Sequence, residues 1–424
     1  MPGPRIVFAS YALRGHINKC IVLAAELAER GHSVFFATQE EGRAWLSHPG
    51  IQYVAWEPRS VTEDGSGFVE HLRAVRGAVS QQADEFRRLA LSWGAAADVY
   101  ATAFDSLKAA LQPVAPDLLI VPQVLAPAID LAHERKWPLI IQASYLPASV
   151  RLHPKAGTGG TRPRARWQSI PSFLLQARAR GRLQRARRAC SRCPSLDDLF
   201  RRATIVAMSD TSIEAGESFT PNVHLVGPLI PDPLPALPTS TQQWLERQAP
   251  AGIVFVAFGT LVRLHERQVA SLAEGLADCG AGVLWALPER HHTLVQRYSA
   301  SFRAETFVPQ ATILSCAAVR TFVTHAGANS ALEAMYWGRP TLGLPFMFDQ
   351  HHYARRAVDL SVGLALDPHA LTSADVRGAV RRLLHERAFA DAARRLATRL
   401  QRTPGVKGAA DIVEAELAGA YPAR

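Results

Sequence analysis

The sequence predicts an α/β protein of two domains, each a parallel sheet wound with helices, facing one another across a cleft. Three observations carry this. Short apolar runs alternate with amphipathic helical stretches, the pattern restarts after a proline-rich interruption, and 424 residues at roughly 100–200 residues per domain make two or three cores. At 48% hydrophobic and 20% charged, the chain is far from the composition of a disordered protein, and collagen-like and coiled-coil readings are excluded. No apolar stretch approaches the ~18–20 residues of a membrane span. The run Ile6 to Ala9 meets Arg14 too soon to serve as a signal peptide, so a cytoplasmic protein is expected.

The first strand is expected over Arg5 to Ser10, followed by a turn holding Gly15 and His16. A helix then follows in which Ile21, Leu23, Ala24, Leu27 and Ala28 recur at helical spacing until Gly31. Ser33 to Ala37 reads as the next strand, and strand, helix, strand at this spacing is a right-handed crossover of a parallel sheet. Leu118 to Val121 and Leu139 to Gln142 are further strands, with Ala126 to Arg135 helical between them. Five prolines between Pro228 and Pro238 end the periodicity and mark an interdomain linker. The boundaries are therefore 1–228 for the first domain, 229–238 for the linker and 239–404 for the second domain. Beyond the linker, Ile253 to Phe258 is a solid apolar strand ending in Gly259-Thr260, followed by a helix through Val269, Leu272 and Leu276. Val319 to Thr324 feeds His325-Ala326-Gly327 and another helix. In open parallel sheets ligands sit beyond the carboxyl ends of strands, where His16, Thr260 and His325 would project.

The five cysteines form no regular framework and their odd number fits a reducing compartment. Cys190 and Cys193 are spaced as CxxC, but zinc would want a second pair or histidines and a redox site would want a preceding strand, so two unlinked thiols are expected. The formal charge is +10. From Arg151 to Arg202 thirteen Arg and one Lys face two acids, a local +12 that leaves the rest of the chain at −2. The segment reads as a solvated helical face, or as a contact for an acidic acceptor or an anionic membrane surface. Nucleic acid is disfavoured, because no aromatic residue between Ala177 and Leu199 is available to stack on a base.

The most informative stretch is Phe307 to Gln350. A strand leading into small residues and then Asn329-Ser330 at a helix start presents unpaired backbone N–H groups and a positive dipole end, which favour a phosphate. Glu333, one turn on, lies within reach of ribose hydroxyls. The alternative is an ordinary N-cap at Asn329 or Ser330 with a solvated Glu333.

Phe307-Val308-Pro309-Gln310, the run from Phe322 to Ala334, Gly338 to Pro345 and Asp349-Gln350 together resemble the signature of the family-1, nucleotide-sugar-dependent glycosyltransferases. The resemblance implies two Rossmann-like domains in the GT-B arrangement, with residues 405–424 forming a helix that packs back on the first domain. It implies that Phe307, where the family usually has Trp, stacks on the nucleobase, that Val308 holds the base edge through its backbone and that Gln310 bonds the ribose. It places the diphosphate on His325, Gly327, Ala328, Asn329, Ser330, Gly259 and Thr260, the ribose on Glu333 and the sugar on Asp349 and Gln350. Gly15-His16 resembles the position of the family's catalytic base, a role suited to a side chain with an unperturbed pKa near ~6.5. The family's usual proline after this His is replaced by Asn18-Lys19-Cys20.

The acid that usually orients the His is also missing, since the strand ends Val121-Pro122-Gln123-Val124. Gln123 is expected to hold the imidazole through its amide oxygen, with Asp98 or Asp105 as alternative partners and Asp117 on the far side of the sheet. No Asp-x-Asp pair is present to anchor a metal on the diphosphate. The expectation is an inverting, metal-independent transfer from a UDP- or dTDP-sugar to a hydroxyl of an apolar small molecule, with no cofactor and no nucleic-acid partner. The alternatives are a transferase acting on a membrane lipid, with peripheral membrane contact through 151–202, and a non-catalytic nucleotide-sugar binder.

Overall fold

The structure, a computed structural model, describes residues 3–58, 70, 74–75, 85–152, 170–191, 193–298 and 301–419. Lys155, Arg162, Arg164, Arg166 and Arg192 of the basic segment lie outside them. The described chain forms two compact units, one of residues 1–229 and 404–424 and the other of residues 230–403.

The first unit runs β1 (Arg5–Ala9), α1 (Arg14–Glu29), β2 (Ser33–Thr38), α2 (Glu40–Arg43), β3 (Ile51–Ala55), α3 (Glu85–Leu111), β4 (Leu118–Pro122), α4 (Ala126–Arg135), β5 (Leu139–Ala143), α5 (Ile170–Cys190), α6 (Leu196–Arg202), β6 (Thr204–Ala207) and β7 (Val223–Leu225). Its seven strands are parallel in the order β3-β2-β1-β4-β5-β6-β7. β1 is buried from Ile6 to Ala9 because helices cover both sheet faces, which is why it reads as a continuous apolar run. The side of α1 carrying Ile17, Cys20, Leu23, Ala24 and Leu27 is buried, each large apolar side chain contributing roughly 1.5–3 kcal/mol. The final helix of the chain, Gly405–Leu417, returns to this unit. Arg30 pairs with Asp411 and Glu414, and Thr204 Oγ1 donates to Glu416 at 2.7 Å.

The second unit runs α7 (Thr239–Gln248), β8 (Ile253–Ala257), α8 (Glu266–Ala277), β9 (Gly282–Ala286), α9 (His292–Val295), β10 (Phe302–Glu305), α10 (Gln310–Ser315), β11 (Val319–Thr324), α11 (Ala328–Tyr336), β12 (Thr341–Gly343), α12 (Asp349–Asp359), β13 (Gly363–Ala365), α13 (Ser373–His385) and α14 (Arg387–Leu400). Its sheet is parallel in the order β10-β9-β8-β11-β12-β13. The prolines after Ile230 pack with this unit, and Thr312 Oγ1 donates to the Pro235 carbonyl at 2.6 Å. Strand order reverses once in each sheet, at β1/β4 and at β8/β11. Those two switch points are where such sheets open a crevice.

Candidate functional site

At the second switch point β8 and β11 lie side by side with Ala257 opposite Thr324, so Gly259 and His325 emerge at neighbouring strand ends. The imidazole is seated between two glycines. A Cβ on Gly259, whose φ is +66°, would stand 2.9 Å from His325 Cε1, and one on Gly327 would stand 2.5 Å from Nε2. Both separations are shorter than any side chain tolerates, so the ring takes this place only because both residues lack a Cβ. Burial lowers the His325 pKa to about 4, partly offset by a hydrogen bond to the Ala257 backbone. The ring is therefore neutral at pH 7.

α11 begins at Ala328 with Gly327 as its N-cap and no capping side chain. The cap comes from elsewhere: Asp349 Oδ2 accepts from the Ala328 N–H at 2.7 Å, placing a carboxylate where a helix N-terminus favours negative charge. The Ala328 amide assigned to a diphosphate is thus occupied by Asp349. Ser330 and Glu333 are buried on α11. Gln310, opening α10, joins them: its Nε2 donates to Glu333 Oε2 at 2.6 Å and its Oε1 accepts from Ser330 Oγ at 3.3 Å. Asn329 is half-buried beside them.

Phe307 is 60% exposed while Val308 beneath it is buried in the core, and Thr260 is exposed. Gln350 is buried at the start of α12. Its Oε1 faces inward and accepts from the Phe346 and Met347 N–H groups at 2.8 and 3.1 Å, leaving the amide NH2 as the part available to a ligand. Gly259, Thr260, Phe307, Val308, Gln310, His325, Gly327, Ala328, Asn329, Ser330, Glu333, Asp349 and Gln350 all lie in this unit, and hydrogen bonds or close approaches link His325 with its glycines, Gln310 with Ser330 and Glu333, and Ala328 with Asp349.

At the first switch point α1 starts at Arg14, so His16 lies within the first helical turn rather than in the turn before it. It is half-buried, and its backbone N–H donates to the Leu13 carbonyl at 2.8 Å. The expectation for Gln123 is corrected. Its backbone N–H donates to the Gln142 carbonyl at 3.1 Å, and its Oε1 is buried without a hydrogen-bond partner among the described residues, so it does not hold the His16 imidazole. One of the proposed substitutes is occupied. Asp98 is paired with Arg182, and the charge of Asp105 is felt by Cys190, whose thiol pKa it helps raise after burial. Asp117 caps the entry end of β1, accepting from the Arg5 N–H at 2.8 Å.

Sequence reasoning missed a buried cluster. Asp130 on α4 is fully buried, accepts from Tyr100 Oη at 2.5 Å and is bound two-pronged by Arg187 at 2.7 and 2.6 Å. A lone acid amid the apolar run Ala126 to Ala132 was the available signal. All five cysteines are free thiols, as expected of the CxxC pair.

The sequence profile described as "UDP-glucoronosyl and UDP-glucosyl transferase" matches residues 118–407, well over half of the chain. The chain belongs to the UDP-glycosyltransferase family. Among curated relatives of the family, mouse (Mus musculus) UDP-glucuronosyltransferase 3A2 is 26% identical over 203 residues, covering 47% of this chain and 39% of that protein. Rat (Rattus norvegicus) 2-hydroxyacylsphingosine 1-beta-galactosyltransferase is 26% identical over 220 residues, covering 50% and 39%. The chain thus spans well under half the length of the curated relatives it matches. Among solved structures, Phytolacca americana UGT2 complexed with UDP-2fluoro-glucose and pterostilbene aligns with a TM-score of 0.72 at 18% identity, covering 98% of this chain and 100% of that one. The glycosyltransferase SnogD of Streptomyces nogalater aligns at 0.68 with the same identity and coverage. These likenesses show the fold, the α/β GT-B architecture of UDP-glycosyltransferases.

Proposed function

We propose that this UDP-glycosyltransferase family member moves a sugar from a nucleotide-sugar, a UDP-sugar first among them, to a hydroxyl of an apolar small molecule such as a natural product, with inversion and without a metal. The observation that carries the reading is the neutral His325 seated between Gly259 and Gly327 beside the start of α11, whose N-cap residue offers no side chain of its own. In this reading the diphosphate lies against His325, Gly259, Thr260, Asn329 and Ser330 and displaces Asp349 from the Ala328 N–H. The carboxylate released then meets the sugar hydroxyls together with the Gln350 amide NH2. Phe307 stacks on the base, the Val308 backbone holds its edge, and Gln310 and Glu333 meet the ribose.

The acceptor oxygen attacks the anomeric carbon from the face opposite the diphosphate. The bond to the β-phosphate oxygen breaks, its electron pair leaves with the nucleotide, and His16 takes the acceptor's proton. The positive end of α11 and the surrounding N–H donors stabilise the leaving charge, and the lack of an Asp-x-Asp pair supports metal independence. Five free thiols support a reducing, cytoplasmic setting.

The test is a mass-spectrometric screen of UDP- and dTDP-sugars against phenolic, macrolide and lipid acceptors, with and without EDTA. Transfer in the wild type that survives EDTA and is lost in His16→Ala is the expected result. Equal activity in both proteins removes His16 as the base. No transfer in either, with UDP still bound, leaves a nucleotide-sugar binder.

A further inference from the structure

The basic segment is not absorbed by sugar transfer, and the fold sorts the arginines of α5 into three groups. α5 carries six arginines and no acid. Arg187 turns inward and is consumed by Asp130, with both side chains almost wholly buried, and it lies on the buried stripe Ala179, Leu183, Arg187. Arg182 is paired with Asp98. Arg178, Arg180, Arg185 and Arg188 are exposed, and among the described residues no carboxylate pairs with them.

Arg178, Arg182, Arg185 and Arg188 follow one another at i, i+4, i+7 and i+10, one row on the side opposite the buried stripe. The row is about 15 Å long at 1.5 Å per residue. The buried Arg187–Asp130 pair and Leu183 fasten the other side of the helix, so the guanidinium groups stand on a fixed, convex support. A convex row suits an extended anionic surface better than a small anion, which needs a concave site to shed its water.

We propose that this face of α5 docks on an anionic lipid surface through Arg178, Arg185 and Arg188. Charge complementarity selects an anionic surface, and the apolar acceptor selects lipid over nucleic acid, because such an acceptor partitions into a bilayer; this second step rests on the function proposed above. The lack of an aromatic residue between Ala177 and Leu199 points the same way, since a single-stranded nucleic acid would have no base-stacking platform there. The interaction is reversible and salt-sensitive, because three exposed arginines at the headgroup level are screened within a Debye length.

The experiment is vesicle sedimentation of the full chain with neutral phosphatidylcholine vesicles and with vesicles containing phosphatidylglycerol, for the wild type and for the triple variant Arg178→Gln, Arg185→Gln, Arg188→Gln. The wild type is expected to sediment with the anionic vesicles alone and to be released by 0.5 M salt, a concentration chosen to shorten screening to about 4 Å. The triple variant is expected to partition about 100-fold more weakly, at roughly fivefold per arginine, with an unchanged melting temperature and unchanged UDP binding. Equal sedimentation with neutral vesicles, equal binding by the triple variant, or binding of an RNA or DNA oligonucleotide without binding of anionic vesicles would each overturn the proposal. Sedimentation needs no turnover, so a protein that binds vesicles but neither binds nor transfers a sugar refutes the donor-site reading and leaves the lipid contact standing.

Discussion

The two switch points share one topology and are finished differently. At β8/β11 the strand ends are followed by glycines that let two backbones close on an imidazole, and the helix beyond them begins without a capping side chain of its own. At β1/β4 the residues after β1 are buried: Tyr11, Ala12 and Leu13 lie in the core, with Tyr11 stacked on Trp56. The Ala12 N–H is bonded to Gln39 Oε1 at 2.7 Å. At the second crevice the Ala328 N–H is held by the carboxylate of Asp349, whereas at the first the side chain that holds the Ala12 N–H, Gln39, is itself fully buried. In the proposed function the same fold supplies an anion-binding crevice in one unit and a rigid mount for one histidine in the other.

The largest expected effect tests whether the mount is catalytic. His16→Ala should lower kcat by about 10²–10⁴-fold while leaving the UDP dissociation constant unchanged by calorimetry; a parallel loss of UDP binding would erase the division of labour between the units.

A pair of glycine substitutions contrasts the two crevices directly. Gly327→Ala drives a Cβ to 2.5 Å from His325 Nε2 and should weaken UDP binding by about 100-fold, in line with other overpacked sites. Gly15→Ala, in the first turn of α1, meets nothing within 4 Å and should leave UDP binding intact and raise stability by up to about 1 kcal/mol. UDP titrations and thermal melts of both variants decide it.

His325 gives the second crevice a pH signature. Its folded pKa of about 4 lies below the ordinary 6.5, so the folded protein resists protonation. Its contribution is full above pH 6.5 and is lost as pH falls toward 4, by roughly 2 kcal/mol once solvent screening is allowed for. Chemical denaturation between pH 4 and 7 should show this slope, and His325→Asn should flatten it.

The smallest effect concerns Phe348, which is 46% exposed and holds φ +50° just before Asp349. Because that backbone region suits glycine, Phe348→Gly should be more stable than Phe348→Ala by about 1 kcal/mol, measurable as a difference in urea midpoint. Equal midpoints would show that the loop relaxes, and with it that Asp349 is held less firmly on Ala328 than the bond distance indicates.

Much of the fold was legible because both faces of the central strands are buried, so β1 from Ile6 onward, β4 and β8 are unbroken apolar runs. Val319–Thr324 and Ala126–Arg135 have the boundaries their patterns predict. The short strands β7, β10, β12 and β13, three or four residues each, have too few residues for a period to register and form because neighbours supply their hydrogen-bond partners.

For the site, the chain alone determined which side chains stand at strand ends and helix starts, since His325, Gly327 and Glu333 owe their places to local geometry. Only tertiary structure decided where each polar group turns. Asp349 reaches Ala328, Gln350 turns its oxygen inward, the Gln123 carbonyl oxygen is left without a partner, and Arg187 is spent on Asp130 while Arg178 and Arg185 face water. The Asp349 and Arg187 contacts join residues 21 and 57 positions apart, and a pattern with a period of 2 or 3.6 residues carries no information at that range.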